Sequence, residues 1–82
     1  MNFEFGTDYY TISRLRGKWK VNKTVYYYYG DTDREGYVEL LPKHEKWNPF
    51  KHKYVVSKRI EDVFETREEA EKECQRRNEE LS

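Results

Sequence analysis

One helix signal, opening at Thr66, follows a long run of residues patterned for strands and turns. That imbalance constrains the fold of this 82-residue chain more than any other feature. Thr66-Arg67-Glu68-Glu69 is a capping box, in which the Thr66 hydroxyl accepts from the Glu69 amide while Glu69 reaches back to the cap. The residues beyond it are strong helix formers, and Glu68 with Lys72 and Glu73 with Arg77 are i,i+4 pairs in the favourable order. The apolar stripe is narrow, consisting of Ala70, Cys74 and Leu81. A helix with so little apolar surface has to lie on a sheet, small residues inward.

Residues 1–64 supply that sheet. From Tyr9 to Arg16 the chain alternates, with Tyr10, Ile12 and Arg14 on one face and Tyr9, Thr11, Ser13 and Leu15 on the other. Gly17 offers a turn, and Lys18-Trp19-Lys20-Val21 alternates again. Thr24 to Tyr29 is rich in strand formers, Asp31 to Gly36 is a polar turn, and Tyr37 to Leu41 leaves it as the second arm of a hairpin. Pro42 to Lys53 reads as a loop, and Tyr54 to Ile60 as the last strand, with Val63-Phe64 as its extension. The expected fold is α+β: an antiparallel β-sheet of about four strands with one C-terminal α-helix packed on one face. It forms a single domain over 1–82, the sheet in 1–64 and the helix in 66–81. The expected core is Trp19, Val21, Val25, Leu40, Val55, Ile60, Phe64, Ala70, Cys74 and Leu81, and a one-residue slip of any strand would exchange its faces.

Only 35% of the chain is hydrophobic and 39% is charged, a balance found in disordered segments, yet Tyr, Phe and Trp together make up 17%. Disordered segments lack such large apolar side chains, so a folded domain with a thin aromatic core is expected. No apolar run approaches the roughly 20 residues that span a bilayer, and the N-terminus lacks the pattern of a signal peptide. No membrane partner is therefore expected. A lone cysteine, Cys74, fits a reducing compartment, and the expected location is cytoplasmic.

No phosphate-cradling glycine loop, nucleophile motif or zinc-helix motif is present, so the chain reads as no enzyme, without cofactor or metal. His44, His52 and Cys74 have no ligand spacing; the histidines read as surface or half-buried residues and Cys74 as a small core residue. Asp31 to Gly36 opens like a calcium loop, but the twelfth position, which must supply a bidentate Glu, is Pro42. It reads as a solvated turn.

Charge is more informative. The chain is neutral overall, but residues 1–60 hold twelve Lys/Arg against seven Asp/Glu, and residues 61–82 hold four against nine. In the Tyr26-Tyr27-Tyr28-Tyr29 run, alternate rings face opposite ways, and one helix can bury only one face. The expected recognition residues are Tyr26 and Tyr28 together with the basic Arg14, Arg16, Lys18, Lys20, Lys58 and Arg59, forming a cationic, Tyr-lined face suited to phosphates and bases. Basic residues also serve to keep exposed strands from pairing edge to edge. A second candidate surface is the acidic helix face, Glu68, Glu69 and Glu73, as an imitation of a phosphate backbone; a solvated helix face is its plainer reading.

Arg16-Gly17-Lys18-Trp19-Lys20-Val21, taken with Val63-Phe64-Glu65-Thr66-Arg67-Glu68-Glu69-Ala70, resembles the arm-site DNA-binding domains at the N-terminus of phage-type tyrosine recombinases. The likeness covers about a dozen residues, and the spacing between its two pieces is longer here. It implies a three-stranded antiparallel sheet backed by a C-terminal helix, a DNA-contacting role for Arg14, Arg16, Lys18 and Lys20, and a mobile-element origin.

Two functions follow as expectations. The first is a small non-catalytic binding protein of phage type, an accessory or inhibitor protein whose partner is a host or defence protein of nucleic-acid-handling machinery, such as a CRISPR-like system. The alternative partner is nucleic acid itself, DNA or RNA, held by the basic, Tyr-rich sheet face.

Overall fold

The computed structural model of the chain describes residues 3–43 and 55–81. Within them lie β1 (Asp8–Leu15), β2 (Lys18–Val21), β3 (Tyr26–Asp31), β4 (Tyr37–Pro42), β5 (Val56–Arg59), a 3-10 turn (Ile60–Asp62), β6 (Val63–Phe64) and α1 (Arg67–Leu81). The sheet is antiparallel in the order β2-β1-β3-β4-β5, with β6 also paired to β1. The expected α+β architecture is present, with six strands rather than about four. Part of the difference is the 3-10 turn. It breaks the run from Val56 to Phe64, so Val63-Phe64 does not extend β5 but pairs separately with Tyr10 and Thr11.

β1 organises the molecule by serving three partners in succession. Asp8 and Tyr9 pair with Tyr27 and Tyr26 of β3, Tyr10 and Thr11 with Phe64 and Val63, and Ile12 to Leu15 with Val21 to Lys18. Because side chains alternate along a strand, β1 feeds a core on each side. On one side Tyr9 packs with Val38, Leu40 and Val63, flanked by Phe3, Tyr26, Tyr28 and Ile60. On the other Ile12 packs with Ala70 and Cys74 of α1, flanked by Tyr10, Trp19, Val21 and Phe64. Thr11 is fully buried, and its hydroxyl accepts a hydrogen bond from the Asn22 amide at 2.7 Å; among the described residues no buried side-chain polar atom is orphaned.

The helix packs chiefly on β1, β2 and β6, so it covers one end of one sheet face. The other side of the sheet is closed by Phe3 and by the return of the chain through Ile60 and Val63. Three expected core residues are not in the core: Val55 is 41% exposed, Leu81 is 48% exposed, and Val25 is half-buried and belongs to neither cluster. Val55 precedes the paired residues of β5, and Leu81 is the last residue of α1. Tyr9, Ile12, Val38 and Val63 are fully buried without having been expected in the core. No described helix is long and apolar enough to cross a membrane.

Candidate functional site

The Leu15–Lys18 pair leaves Arg16-Gly17 as a two-residue hairpin loop. Their φ angles are 53° and 82°, positive at both positions, which defines a type I′ turn and matches the twist of the flanking strands. Gly17 adopts this without cost. Arg16 does so against a Cβ clash of roughly 1–2 kcal/mol. Beyond the turn Trp19 and Val21 lean toward α1, and Lys18 and Lys20 are exposed. Arg14, Arg16, Lys18, Lys20 and Lys23 thus stand along one exposed ribbon, with Leu15, 60% exposed, beside the tip. Among the described residues none of these five cations has an ion-pair or hydrogen-bond partner.

The helix is docked onto that ribbon by polar anchors. The Trp19 N–H donates to Asn78 Oδ1 at 2.8 Å, and Asn78 Nδ2 donates to the Trp19 carbonyl at 3.1 Å. One side-chain amide thereby supplies both hydrogen bonds that a neighbouring strand would have made to Trp19. One position earlier, the Arg77 guanidinium lies 4.4 Å over the Trp19 ring. Its nitrogens donate to Glu73 at 2.9 Å, to Asp62 at 2.7 Å and to the Glu61 carbonyl at 3.1 Å. Arg77 and Asn78 escaped sequence reasoning, although Arg77 falls at helical spacing from Ala70 and Cys74, a position that reads as part of the buried stripe.

Of the expected acidic face of α1, Glu73 is neutralised by the helix's own arginines, while Glu68 and Glu69 are exposed and in none of the ion pairs of the described residues. Glu73 accepts from both Arg76 and Arg77, Glu71 from Arg67 and Glu80 from Arg76. Hydrogen bonds from Arg76, and then from Arg77, hold the Glu73 carboxyl down at about 2. Of the two expected i,i+4 pairs, Glu73–Arg77 forms, while Glu68–Lys72 is not among the ion pairs of the described residues. Thr66 does cap the helix, its hydroxyl accepting from the Glu69 amide at 3.2 Å.

Tyr26 and Tyr28 do not share an open face with the cations. Both pack against the Tyr9 cluster, where the Phe3 ring stacks on Tyr28 at 5.6 Å and Phe5 lies 4.7 Å from it. The Tyr28 hydroxyl donates to Asp31 at 2.8 Å, which raises its pKa. The cause of the misplacement is the N-terminal segment, whose two phenylalanines cover a face that a lone helix leaves bare. The alternate tyrosines face the other way. Pairing of Tyr28 with the buried Leu40 turns Tyr27 and Tyr37 to the opposite side, and a bulge between Tyr28 and Gly30 leaves Tyr29 51% exposed. The Arg34 guanidinium covers the Tyr37 ring at 4.2 Å, with Arg59 at 6.0 Å.

Lys58 and Arg59 are brought to the same place as Arg14. They line a notch of about 390 Å³ with Ile12, Ser13, Trp19, Glu61, Asp62 and Arg77. Three of the expected site residues, drawn from β1 and β5, therefore converge across the sheet.

The chain matches no protein-family model, no curated protein and no solved structure. What the surface can do rests on its own donors and charges. Cys74 is buried against Ile12, and burial pushes its thiol up, away from the thiolate needed for nucleophilic or metal chemistry. His44 and His52 lie outside the described residues, as do Lys51 and Lys53. Among the described residues no three His, Cys, Asp or Glu side chains converge to hold a metal ion.

Proposed function

We propose that this protein is a non-catalytic binding module that grips a nucleic-acid backbone with its β1–β2 hairpin. One asymmetry carries the reading: Glu71, Glu73 and Glu80 of α1 are held by neighbouring arginines, whereas Arg14, Arg16, Lys18, Lys20 and Lys23, on or just beyond the hairpin, are exposed and have no partner among the described residues. An unpaired cation can exchange its counterion-free position beside water for a phosphate contact, and release of the phosphate's own counterions drives the association. A two-stranded ribbon is also a shape that the DNA major groove admits. The likeness to recombinase arm-site domains adds the same role for Arg14, Arg16, Lys18 and Lys20.

The test is a salt titration of binding to duplex and single-stranded oligonucleotides. Each phosphate neutralised contributes about −0.9 to the slope of log K against log salt on duplex and about −0.7 on a single strand. The K18Q/K20Q double variant is expected to flatten the slope by roughly 1.4–1.8 and to weaken binding at low salt. Absence of binding by the unaltered chain at about 50 mM salt refutes the reading.

A second reading, a phage-type accessory or inhibitor protein directed at host or defence machinery that handles nucleic acid, draws on the exposed Tyr29 and the outward Tyr27 and Tyr37. Tyrosine is enriched at protein interfaces because its ring supplies area and its hydroxyl a hydrogen bond. Recovery of one stoichiometric protein from lysate, lost on Tyr29→Ser and retained in K18Q/K20Q, would favour it over the first.

A further inference from the structure

We propose that the notch between β1 and the β5–Asp62 segment is a phosphate seat, built by Arg14 and Lys58 with Arg59 at its rim. It deepens the nucleic-acid reading and rests on it for the identity of the larger ligand. The notch exists because of a topological break. β6 pairs with β1 at Tyr10 and Thr11, and the 3-10 turn of Ile60–Asp62 then draws the chain aside. The β1 residues Ile12 to Arg14 pair with β2 but have no second strand among the described residues, and a concavity opens beside them.

The charges around that opening do not cancel. Four cations, Arg14, Lys58, Arg59 and Arg77, face two carboxylates, Glu61 and Asp62. Arg77 is spent on structure: its donors reach Asp62, Glu73 and the Glu61 carbonyl, so Asp62 is neutralised where it stands. Arg59 meets Glu61 at 3.4 Å in a pair whose partners are both more than half exposed, and it donates to the Tyr37 hydroxyl at 3.3 Å. Such an exposed pair is worth little and is readily exchanged for a stronger acceptor. Arg14 and Lys58 have no partner among the described residues, and Lys58 is half-buried. Its stem is packed while its charge has no counter-charge at the notch, and an anion there supplies one. Arg14 offers the planar fork that matches two phosphoryl oxygens, and Lys58 a point charge beside it.

Size and position define the ligand further. About 390 Å³ is near the lower end of small-ligand sites, enough for one phosphate with its sugar but not for stacked bases. Arg14 also stands on the hairpin, on its Trp19 side, whereas Lys18 and Lys20 occupy the other side, so the seat and the lysines grip from opposite sides of one ribbon. The chemistry recognised is a phosphoryl group, whether an internal phosphodiester or a terminal phosphomonoester.

The experiment follows backbone amide resonances of the full chain during titration with inorganic phosphate, a nucleoside 5′-monophosphate, and an oligonucleotide with hydroxyls at both ends. Shifts at Ser13, Arg14, Lys58 and Arg59 with all three are expected. A response to the oligonucleotide shows that an internal diester suffices; a response confined to the monophosphate and inorganic phosphate assigns the seat to a chain terminus or free phosphate. R14Q/K58Q is expected to abolish these shifts, to weaken oligonucleotide binding about tenfold and to flatten its salt slope by roughly 1.4–1.8, with near-UV dichroism unchanged. R14K is expected to keep the slope while losing affinity severalfold, because it retains charge without the fork. Shifts that are absent in the unaltered chain, or that survive R14Q/K58Q, overturn the seat. If the oligonucleotide binds through Lys18 and Lys20 while the notch stays silent, the seat fails and the hairpin reading stands; if phosphate shifts the notch but no oligonucleotide binds, the reverse holds.

Discussion

Arg16 holds a backbone conformation that L-residues avoid, at an exposed turn where no hydrogen bond or ion pair among the described residues uses its guanidinium. Asn and Gly are the residues that a type I′ turn favours at this position. A strained residue retained at the tip of a cationic ribbon is what a ligand contact would demand. The expected outcome for Arg16→Asn is a gain of about 1 kcal/mol in stability, read as a melting temperature higher by roughly 4–8 °C. The same variant is expected to bind oligonucleotide more weakly, with a salt slope flatter by about 0.7–0.9. A variant that is neither more stable nor weaker in binding removes both halves of this account. Gly17 announces the turn in the sequence; the strain at Arg16 does not show there, because it depends on the loop being two residues long.

At the scale of elements, the docking of α1 on β2 is more polar than its stripe suggests. Ala70 and Cys74 are buried, but the helix is then fixed by Arg77 and Asn78. Asn78 occupies the outward edge of β2 at Trp19, satisfying backbone groups that would otherwise form an open edge. Asn78→Ala is expected to cost about 1–3 kcal/mol, since it leaves a part-buried N–H and C=O without partners. Asn78→Asp keeps the acceptor for the Trp19 N–H but turns a second acceptor on the Trp19 carbonyl, so it recovers at most part of the loss. Thermal melts followed by Trp fluorescence measure both, and an Asn78→Ala variant as stable as the parent would show that water serves equally well. The Thr66 cap, the helix and the first hairpin were legible because their causes are local. Asn78 was not, because its partner lies 59 residues away and nothing near it hints at a strand edge.

For the molecule as a whole, acid stability reports how the helix is tied to the sheet. Glu73 bridges Arg76 and Arg77, and Arg77 reaches Asp62 beyond the end of β5. The Glu73 carboxyl sits at about 2 in the folded chain against an ordinary 4.5. The unfolded chain therefore binds the extra proton first, and the stabilisation is complete above about 4.5 and lost as the pH falls toward 2. Glu73→Gln is expected to lower the melting temperature near neutrality and to flatten its decline between those two values. An acid limb as steep in the variant as in the parent would show that Glu73 is not its source. The two cores belong to this scale as well. β1 contributes Tyr9 to one and Ile12 to the other, so the sides of the sheet are coupled through a single strand.

The order of strands and helix was written in the chain, because alternation, turn residues and a capping box are decided by neighbours in sequence. So was the presence of a basic ribbon, since charge needs no partner to be counted. Which cations remain unpaired, which tyrosines are covered and where Arg14 meets Lys58 were decided only by tertiary structure. Each depends on residues far apart in the chain: Phe3 against Tyr28, Arg77 against Asp62, and a turn at Ile60–Asp62 that parts one strand from another. Periodicity specifies which side of a strand a residue occupies, but what lies on that side is a property of the assembled fold.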